Sequence, residues 1–221
     1  MYKLVIQGGI PLSGNIKTSG SKNATLPIFF SSILADSPLK LANTPQLSDV
    51  STTLRLLMDM GSNFVLEEDG SIFIDSSNLN NLKADYSLVK TMRASILTLG
   101  PMLAKYKKAK ISLPGGCAIG TRPVNLHLDA LEKMGAKIEV KNGYIHASAK
   151  ELIGTQINFD LVSVTATENI LMAATLAKGI TTINNAAQEP EVTDLICCLK
   201  NMGAKITGAN TSTLIIEGVD H

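Results

Sequence analysis

The chain has 221 residues, of which 45% are hydrophobic, enough to bury the core of one large domain or two small ones. A formal net charge of +1 and only 4% aromatic residues give neither the basic surface nor the stacking side chains typical of nucleic-acid binding. Its apolar runs fall short of the ~20 residues of a membrane span, and its three cysteines imply no disulfide framework. We therefore expect a soluble cytoplasmic protein without a membrane or nucleic-acid partner.

The sequence contains one unit three times. In each copy a Met-Gly pair follows an amphipathic helix with apolar residues at three- and four-residue spacing, and the glycines are Gly61, Gly135 and Gly203. They lie 74 and 68 residues apart, which suits a repeated supersecondary unit. Glycine after the last turn is a common left-handed helix terminator. An apolar-polar alternation with a polar turn follows each glycine and predicts a β-hairpin.

A second kind of helix precedes each amphipathic one, in segments 22–35, 90–104 and 165–177. These segments carry almost no charge beyond their first turns, and a helix that is apolar all round must be buried all round. A short strand follows each segment. We therefore predict a pseudo-threefold α/β domain with the apolar helices inside and the sheets and amphipathic helices outside. The alternative is an ordinary α/β sandwich that contains apolar helices.

Polar residues of the apolar helices are concentrated at their N-termini. Lys22 and Asn23 open the first helix, Arg93 lies in the first turns of the second, and Thr165 with Glu168 has the spacing of a capping box for the third. If the helices run side by side, these ends converge where free N–H groups and helix dipoles attract anions. The two cations predict a phosphate or carboxylate site, and the alternative is that they are ordinary solvated charges.

A glycine-rich loop, residues 113–123, connects the strand and the amphipathic helix of the second repeat. Pro123 suits a first helical turn, which places Arg122 at another helix start as a third cation. Cys117 lies among glycines near these cations, where a thiolate is stabilised and accessible, although a lone cysteine can also be a small buried apolar residue. Backbone groups after the arginine are available to a larger ligand, at Pro123, Val124, Asn125 and Leu126.

The other cysteines and histidines give weaker signals. Cys197 and Cys198 lie in an amphipathic helix, so we expect both to pack in the core. His127 follows the glycine-rich loop, but a Cys-His hydrolase dyad lacks any accompanying family signature. No histidine has metal-ligand spacing with other ligating residues, so we expect no metal site.

Four stretches, SGSKNATLPI, VKTMRASILTLGP, LPGGCAIGTRPVNLHLDALEKMGA and ATENILMAATLAKG, closely resemble the UDP-N-acetylglucosamine 1-carboxyvinyltransferase family. The resemblance runs through the whole chain, and the loop around Cys117 is its most specific part. It implies an inside-out α/β barrel domain of three repeats, as in enolpyruvyl transferases. It also implies transfer of the enolpyruvyl group of phosphoenolpyruvate to the 3′-hydroxyl of UDP-N-acetylglucosamine, with release of phosphate. This is the first committed step of peptidoglycan synthesis, a cytoplasmic reaction that supports cell shape and division and that fosfomycin targets.

The resemblance also implies roles for single residues. Lys22, Asn23, Arg93 and Arg122 would surround phosphoenolpyruvate. Cys117 would be the general acid that protonates the enolpyruvyl methylene carbon, and it could carry a covalent pyruvyl or phospholactoyl adduct, with no separate cofactor. The nucleotide sugar would contact Asn23, Arg93, Arg122, Pro123, Val124, Asn125, Leu126, Leu161, Val162, Ser163 and Val164.

Members of this family have two such domains, and the chain stops about where the first one ends. The resemblance assigns residues 1–15 to a strand of the missing second domain and residues 16–221 to the first domain, with repeats at roughly 16–84, 85–157 and 158–221. The second domain supplies an aspartate and further arginines in the family, so we expect a truncated first domain with little turnover. Alternatives are a non-catalytic nucleotide-sugar-binding module and the shikimate-pathway enolpyruvyl transferase, which lacks the cysteine loop.

Three positions depart from the family pattern. Leu161 stands where some members have lysine near the diphosphate, and Thr165 stands where many have glycine. Asn125 replaces an aspartate that is common after the Arg-Pro pair. All three departures concern the nucleotide sugar, so the resemblance is stronger for the phosphoenolpyruvate site.

Overall fold

A computed structural model of the chain describes residues 3–89, 92–113 and 124–221. These residues form the helices α1 (Lys22–Ser31), α2 (Ser48–Met60), α3 (Tyr86–Val89), α4 (Leu99–Tyr106), α5 (Asn125–Lys133), α6 (Val164–Ala174) and α7 (Pro190–Asn201), with 3₁₀ turns at Ser32–Leu34 and Arg93–Thr98. None of the helices within these ranges combines the length and apolarity that crossing a bilayer requires.

The strands come in the order that the repeats predict, with two additions. They are β1 (Leu39–Leu41), β2 (Asn63–Leu66), β3 (Ile72–Asp75), β4 (Lys83–Ala84), β5 (Lys108–Ser112), β6 (Lys137–Lys141), β7 (Tyr144–Ser148), β8 (Gln156–Asn158), β9 (Ile180–Asn184), β10 (Lys205–Thr207) and β11 (Thr213–Glu217). The additions are β4 and β8, which have two and three residues. Such short strands leave no alternating pattern to detect.

The strands form three separate sheets, one for each repeat, in the orders β1-β3-β2, β4-β5-β7-β6 and β10-β11-β9-β8. In each sheet the second strand of the predicted hairpin lies in the middle and pairs antiparallel on both sides. β4 and β8 add parallel edge strands to the second and third sheets. The three hairpins are therefore confirmed, and three sheets replace the two layers of an ordinary sandwich.

The three apolar helices form the interior of the domain. Every side chain of α6 from Ala166 to Ala174 is buried, and so is every residue of α4 from Leu99 to Ala104. α4 packs against α6, and α1 contacts α6 and the 3₁₀ turn before α4. Buried apolar residues of all three repeats belong to one continuous cluster. Each large apolar side chain buried there stabilises the fold by about 1.5–3 kcal/mol.

The amphipathic helices α2, α5 and α7 lie outside this core, as the repeat pattern predicts. The glycine after each one has a positive φ, +109° at Gly61, +97° at Gly135 and +107° at Gly203. Only glycine adopts this conformation without steric cost. The Met-Gly pairs therefore act as helix terminators in all three repeats.

The second apolar helix differs from the prediction at its start. It begins as the 3₁₀ turn Arg93–Thr98 and becomes α-helical only at Leu99. Pro101 has no N–H to donate to a preceding carbonyl, and proline is favoured in the first turn of a helix. The proline therefore favours an α-helix that starts just before it over one that is continuous from residue 90.

Residues 3–19 lie outside the packed domain. They are exposed and form no helix or strand. The segment nevertheless carries large apolar side chains that are at least three-quarters exposed, at Leu4, Val5, Ile6, Ile10, Leu12 and Ile16. The assignment of residues 1–15 to a strand of a second domain stays a prediction.

Two inner helices, α4 and α6, approach each other closely at Gly100 of α4. Its backbone N–H donates to Oδ1 of Asn169 in α6 at 2.7 Å. A Cβ atom at position 100 would lie 2.3 Å from the backbone oxygen of Asn169 and 2.5 Å from Oδ1. No side chain fits between the two helices, so their spacing depends on this glycine.

Replacement of Gly100 by alanine should therefore destabilise the domain. We expect the free energy of unfolding in urea to fall by about 1–3 kcal/mol, the usual cost of overpacking a core. Gly8→Ala is the matched control, because a Cβ at Gly8 meets nothing within 4 Å. Equal stabilities of the two variants would contradict the close packing of α4 on α6.

Candidate functional site

A cavity of about 410 Å³ lies where three elements of the second and third repeats meet. Arg93 and Ile96 come from the 3₁₀ turn before α4, and further residues come from the start of α5 and from the segment that leads into α6. The complete lining is Arg93, Ile96, Val124, Leu126, His127, Leu161, Val162, Ser163, Val164 and Thr165.

This cavity unites seven residues that the sequence analysis assigns to the nucleotide sugar, namely Arg93, Val124, Leu126, Leu161, Val162, Ser163 and Val164. They come from positions 93 to 164, so only the fold brings them together. A cavity of about 1050 Å³ beside α2 and β2 is larger, but it contains none of the predicted site residues. The smaller cavity is therefore the candidate site.

The start of α6 differs from the predicted capping box. Ser163, in extended conformation, is the N-cap, and its hydroxyl accepts from the backbone N–H of Ala166 at 3.3 Å. Thr165 already lies in the first turn, where its hydroxyl is 3.4 Å from Nε2 of His127. The box at Thr165 and Glu168 is thus wrong, because Ser163 takes the capping position two residues earlier.

Arg93 supplies positive charge to the cavity. It is half-buried at the first position of its 3₁₀ turn and lines the cavity wall. The N-terminus of α6 opens on the same cavity, and helix N-termini favour anions. An arginine and a helix start around apolar walls suit a ligand with an anionic group and flat or apolar parts.

His127 forms part of the cavity wall and is 3% exposed. Burial, with a smaller effect from the charge of Arg93, lowers the pKa of His127 to about 4. The imidazole is therefore neutral near pH 7. Nδ1 lies 2.9 Å from Nδ2 of Asn169, a fully buried side chain of α6. The sequence patterns above do not predict Asn169 as part of the site, although a lone amide inside an apolar helix is a signal for such a role.

Lys22 and Asn23 are placed differently. Nζ of Lys22 forms an ion pair with Oδ2 of Asp49 at 3.0 Å, and Asp49 lies in the first turn of α2. The carboxylate of Asp49 thus lies beside the positive charge of Lys22 at this helix N-terminus, where the sequence predicts a ligand anion. Both side chains are about one-third or more exposed, 43% and 32%, and such pairs contribute about 0–1 kcal/mol. Neither Lys22 nor the exposed Asn23 lines the cavity.

The remaining predicted residues belong to the glycine-rich loop. Cys117, Arg122 and Pro123 lie outside the described residues. On one side of the loop Leu113 donates its N–H to the carbonyl of Gly143 at 2.8 Å. On the other side Val124 lines the cavity, while Asn125 is an exposed first residue of α5 outside it. The loop therefore ends at the candidate site.

The prediction for the paired cysteines is half wrong. Cys197 is exposed on α7. Cys198 packs as expected, with its sulfur 3.8 Å from the hydroxyl of Ser31 and 3.9 Å from the sulfur of Met202. Neighbouring positions on a helix point about 100° apart, so adjacent residues at the border of the buried face need not share it.

Within the described ranges no histidine, cysteine and carboxylate side chains group into a metal site.

Comparison with known families gives the class of the protein. A sequence model of the family described as EPSP synthase (3-phosphoshikimate 1-carboxyvinyltransferase) matches residues 6–221. The match covers nearly the whole chain, so the chain belongs to this family.

Relatives of known identity are more specific. The chain is 74% identical over 220 residues to the UDP-N-acetylglucosamine 1-carboxyvinyltransferase of Ruthia magnifica subsp. Calyptogena magnifica, covering all of this chain and 52% of the relative. Proteins of the same name from Hydrogenovibrio crunogenus and Coxiella burnetii are 56% and 52% identical, again over the whole chain and over 53% and 51% of their own lengths. The chain thus spans about half the length of the curated relatives it matches.

Solved structures agree on the fold. The enolpyruvyl transferase NikO from Streptomyces tendae matches 96% of the chain and half of its own length, with a TM-score of 0.81 at 22% identity. An EPSP synthase from Acinetobacter baumannii matches 93% of the chain and 47% of its own, with a TM-score of 0.73 at 18% identity. The predicted enolpyruvyl transferase-like α/β fold is confirmed.

Glu168, one helical turn after Thr165 in α6, allows a test of how burial determines charge in this helix. It is 2% exposed, and its Oε1 has no hydrogen-bond partner among the described residues. Burial, followed by the charges of Glu191 and Glu189, raises the pKa of Glu168 to about 8. The carboxyl is therefore protonated at neutral pH. Its contribution to stability is complete below the unfolded-state pKa near 4.5 and is lost as pH rises through the folded-state pKa.

We expect unmodified protein to lose about 1–2 kcal/mol of unfolding free energy between pH 6.5 and 8.5, since one pKa unit is worth about 1.4 kcal/mol. Glu168→Gln should show a flatter profile, because the amide stays neutral. Urea denaturation of both proteins at several pH values measures the difference. The buried His127 does not interfere, because it affects stability only as pH falls below about 6.5. Parallel profiles would mean that Glu168 is ionised in the folded state.

Proposed function

We propose that this chain is the first domain of an enzyme that transfers the enolpyruvyl group of phosphoenolpyruvate to the 3′-hydroxyl of UDP-N-acetylglucosamine. The observation that carries the proposal is 74% identity, over the whole chain, to a relative named for this reaction. The shikimate-pathway alternative is weaker, since the EPSP synthase structure is 18% identical and supports the fold alone. The glycine-flanked Cys117 also favours the proposed reaction.

The candidate cavity suits part of a nucleotide sugar. Its walls include Leu126, Leu161 and Val162, which offer apolar surface to a base or sugar ring. Arg93 and the N-terminus of α6 offer positive charge to a diphosphate. Ser163 uses its hydroxyl as the helix cap, so the cavity presents the ligand with backbone groups already held in place.

Phosphoenolpyruvate carries a phosphate and a carboxylate, and we propose that Lys22, Arg93 and Arg122 bind these groups, with Asn23 beside them. The exposed ion pair between Lys22 and Asp49 is weak, so Lys22 can exchange Asp49 for a ligand anion at a cost of about 0–1 kcal/mol. Two anionic groups next to an oxocarbenium-like centre require cations that hold them in position during the reaction.

The proposed chemistry has two steps. O3′ of the sugar bonds to C2 of phosphoenolpyruvate and loses its proton to a base in the other half of the enzyme, while the thiol of Cys117 gives a proton to C3. The bond between C2 and the phosphate oxygen then breaks, and phosphate leaves with the proton that came from O3′. C3 returns its proton to the Cys117 thiolate, so the thiol and the enol ether form again. General acid catalysis of this type contributes typically about 10²–10⁴-fold. No metal or redox cofactor is needed to balance these steps, and Cys117 can retain a pyruvyl or phospholactoyl adduct.

The isolated chain should bind UDP-N-acetylglucosamine but convert little of it to product. It spans about half of its relatives' length, and the family resemblance assigns the base that deprotonates the sugar hydroxyl to the other half. We propose little or no turnover by this chain alone. We propose that the chain together with the other half of the enzyme acts in cytoplasmic peptidoglycan synthesis. A non-catalytic nucleotide-sugar-binding module is the second candidate, and the same half-length match favours it.

Arg93 provides a test of the binding site. Arg93→Ala should weaken binding of UDP-N-acetylglucosamine roughly tenfold to a hundredfold in calorimetric titration, as expected for loss of charged hydrogen bonds. Arg55→Ala is the matched control, because Arg55 is exposed on α2, away from the cavity. Equal affinities of both variants would remove the cavity from the proposed site.

Reaction with fosfomycin separates the enzyme from the binding module. We expect mass spectrometry to find a covalent adduct on Cys117, increased by UDP-N-acetylglucosamine, while the exposed Cys197 stays unlabelled as the internal control. Phosphate release should be negligible for the chain alone and appear after fusion to the second half of the 74% identical relative. A fusion without labelling or phosphate release would leave the binding module as the function. Full turnover by the chain alone would contradict the half-enzyme proposal.

A further inference from the structure

Asn169 is a fully buried amide in α6, whose residues from Ala166 to Ala174 are all buried, and all its polar side-chain atoms are used. Oδ1 accepts from the backbone N–H of Gly100 at 2.7 Å. Nδ2 donates to the carbonyl of Ile96 at 3.2 Å and lies 2.9 Å from Nδ1 of His127. The amide therefore joins the 3₁₀ turn, α4, α5 and α6 behind the candidate cavity.

These partners fix the orientation of the amide. A backbone N–H can only donate and a carbonyl can only accept, so Oδ1 must face Gly100 and Nδ2 must face Ile96. Nδ2 is then also the atom that faces His127, and it can only donate. Nδ1 of His127 is consequently an acceptor without a proton, and the proton of the neutral ring is on Nε2.

The Nε2 proton points to the hydroxyl of Thr165, 3.4 Å away. Thr165 is exposed and lines the cavity, and within the described residues its hydroxyl has no other hydrogen-bond partner. An oxygen that accepts from His127 keeps its own hydrogen for a further acceptor. The hydrogen bonds from Asn169 through His127 to Thr165, here called the relay, thus end in a hydroxyl donor that faces the cavity.

We propose that Thr165 donates a hydrogen bond to a diphosphate oxygen of the nucleotide sugar, and that His127 is a positioning residue that sets this direction. The inference rests on the function proposed above for the cavity. Arg93 and the α6 N-terminus, on the same cavity, favour an anionic oxygen at that place. A glycine at position 165 would provide no such donor.

The test uses the whole 221-residue chain and two variants at one exposed position. Thr165→Val keeps the shape but loses the hydroxyl, and Thr165→Ser keeps the hydroxyl. We expect the Kd of UDP-N-acetylglucosamine to rise roughly tenfold for the valine variant and to change less than about threefold for the serine variant. Uridine has no phosphate, so its affinity should be equal for all three proteins.

His127→Asn tests the positioning role, because an asparagine oxygen can replace Nδ1 as acceptor from Asn169, while no atom of the shorter side chain takes the place of Nε2 beside Thr165. It should keep the thermal stability close to that of the unmodified chain and raise the Kd of UDP-N-acetylglucosamine roughly threefold. Nitrogen-15 NMR of the unmodified chain should show His127 as the neutral Nε2–H tautomer from pH 7 down to 5.5.

The outcomes separate this inference from the proposed function. No binding of UDP-N-acetylglucosamine by the unmodified chain would overturn both. Binding that Thr165→Val leaves unchanged would overturn the donor role of Thr165 and keep the proposed function. An Nδ1–H tautomer of His127, or equal losses of uridine and UDP-N-acetylglucosamine affinity in the valine variant, would likewise overturn the relay alone.

Discussion

The contact between Gly100 and Asn169 is the constraint on which the centre of the domain depends. It allows α4 and α6 to approach more closely than any side chain at position 100 would permit. The amide that occupies this contact also holds the carbonyl of Ile96 and the ring of His127. A buried amide with all partners present costs little, whereas each lost partner costs about 1–3 kcal/mol. Helix packing and the shape of the candidate cavity are therefore set by the same few atoms.

Burial determines whether two titratable side chains, His127 in the cavity wall and Glu168 in α6, carry a charge. Burial holds the pKa of His127 low and that of Glu168 high, so both side chains are neutral near pH 7. Glu168 therefore adds no negative charge that would oppose Arg93 and the start of α6, and His127 adds no second positive charge. Among the described lining residues, Arg93 then supplies the formal positive charge. One cation among otherwise neutral lining residues, in the described part of the chain, favours an anion that lies beside Arg93 over an anion elsewhere in the cavity.

The sequence predicts the repeated order of helices, strands and hairpins because each element has a strong local signal, as at Gly61, Gly135 and Gly203. It predicts most of the cavity lining only through family resemblance, since those residues lie far apart in the chain. Other features depend on distant contacts that no local pattern contains, such as the pairing of Lys22 with Asp49 and the relay through Asn169. The capping error at Thr165 has a different cause, because two overlapping polar patterns compete and only backbone geometry separates them.

The sheets are not equivalent at their edges. The second and third sheets have β4 and β8 beside β5 and β9, but no strand in the described ranges covers the corresponding edge of β1. β1 has only three residues, with the exposed Lys40 in the middle, and both features discourage an extended segment of another molecule from adding to this edge. Within the described ranges the first sheet therefore leaves this edge open without offering the long, flat strand that promotes self-association.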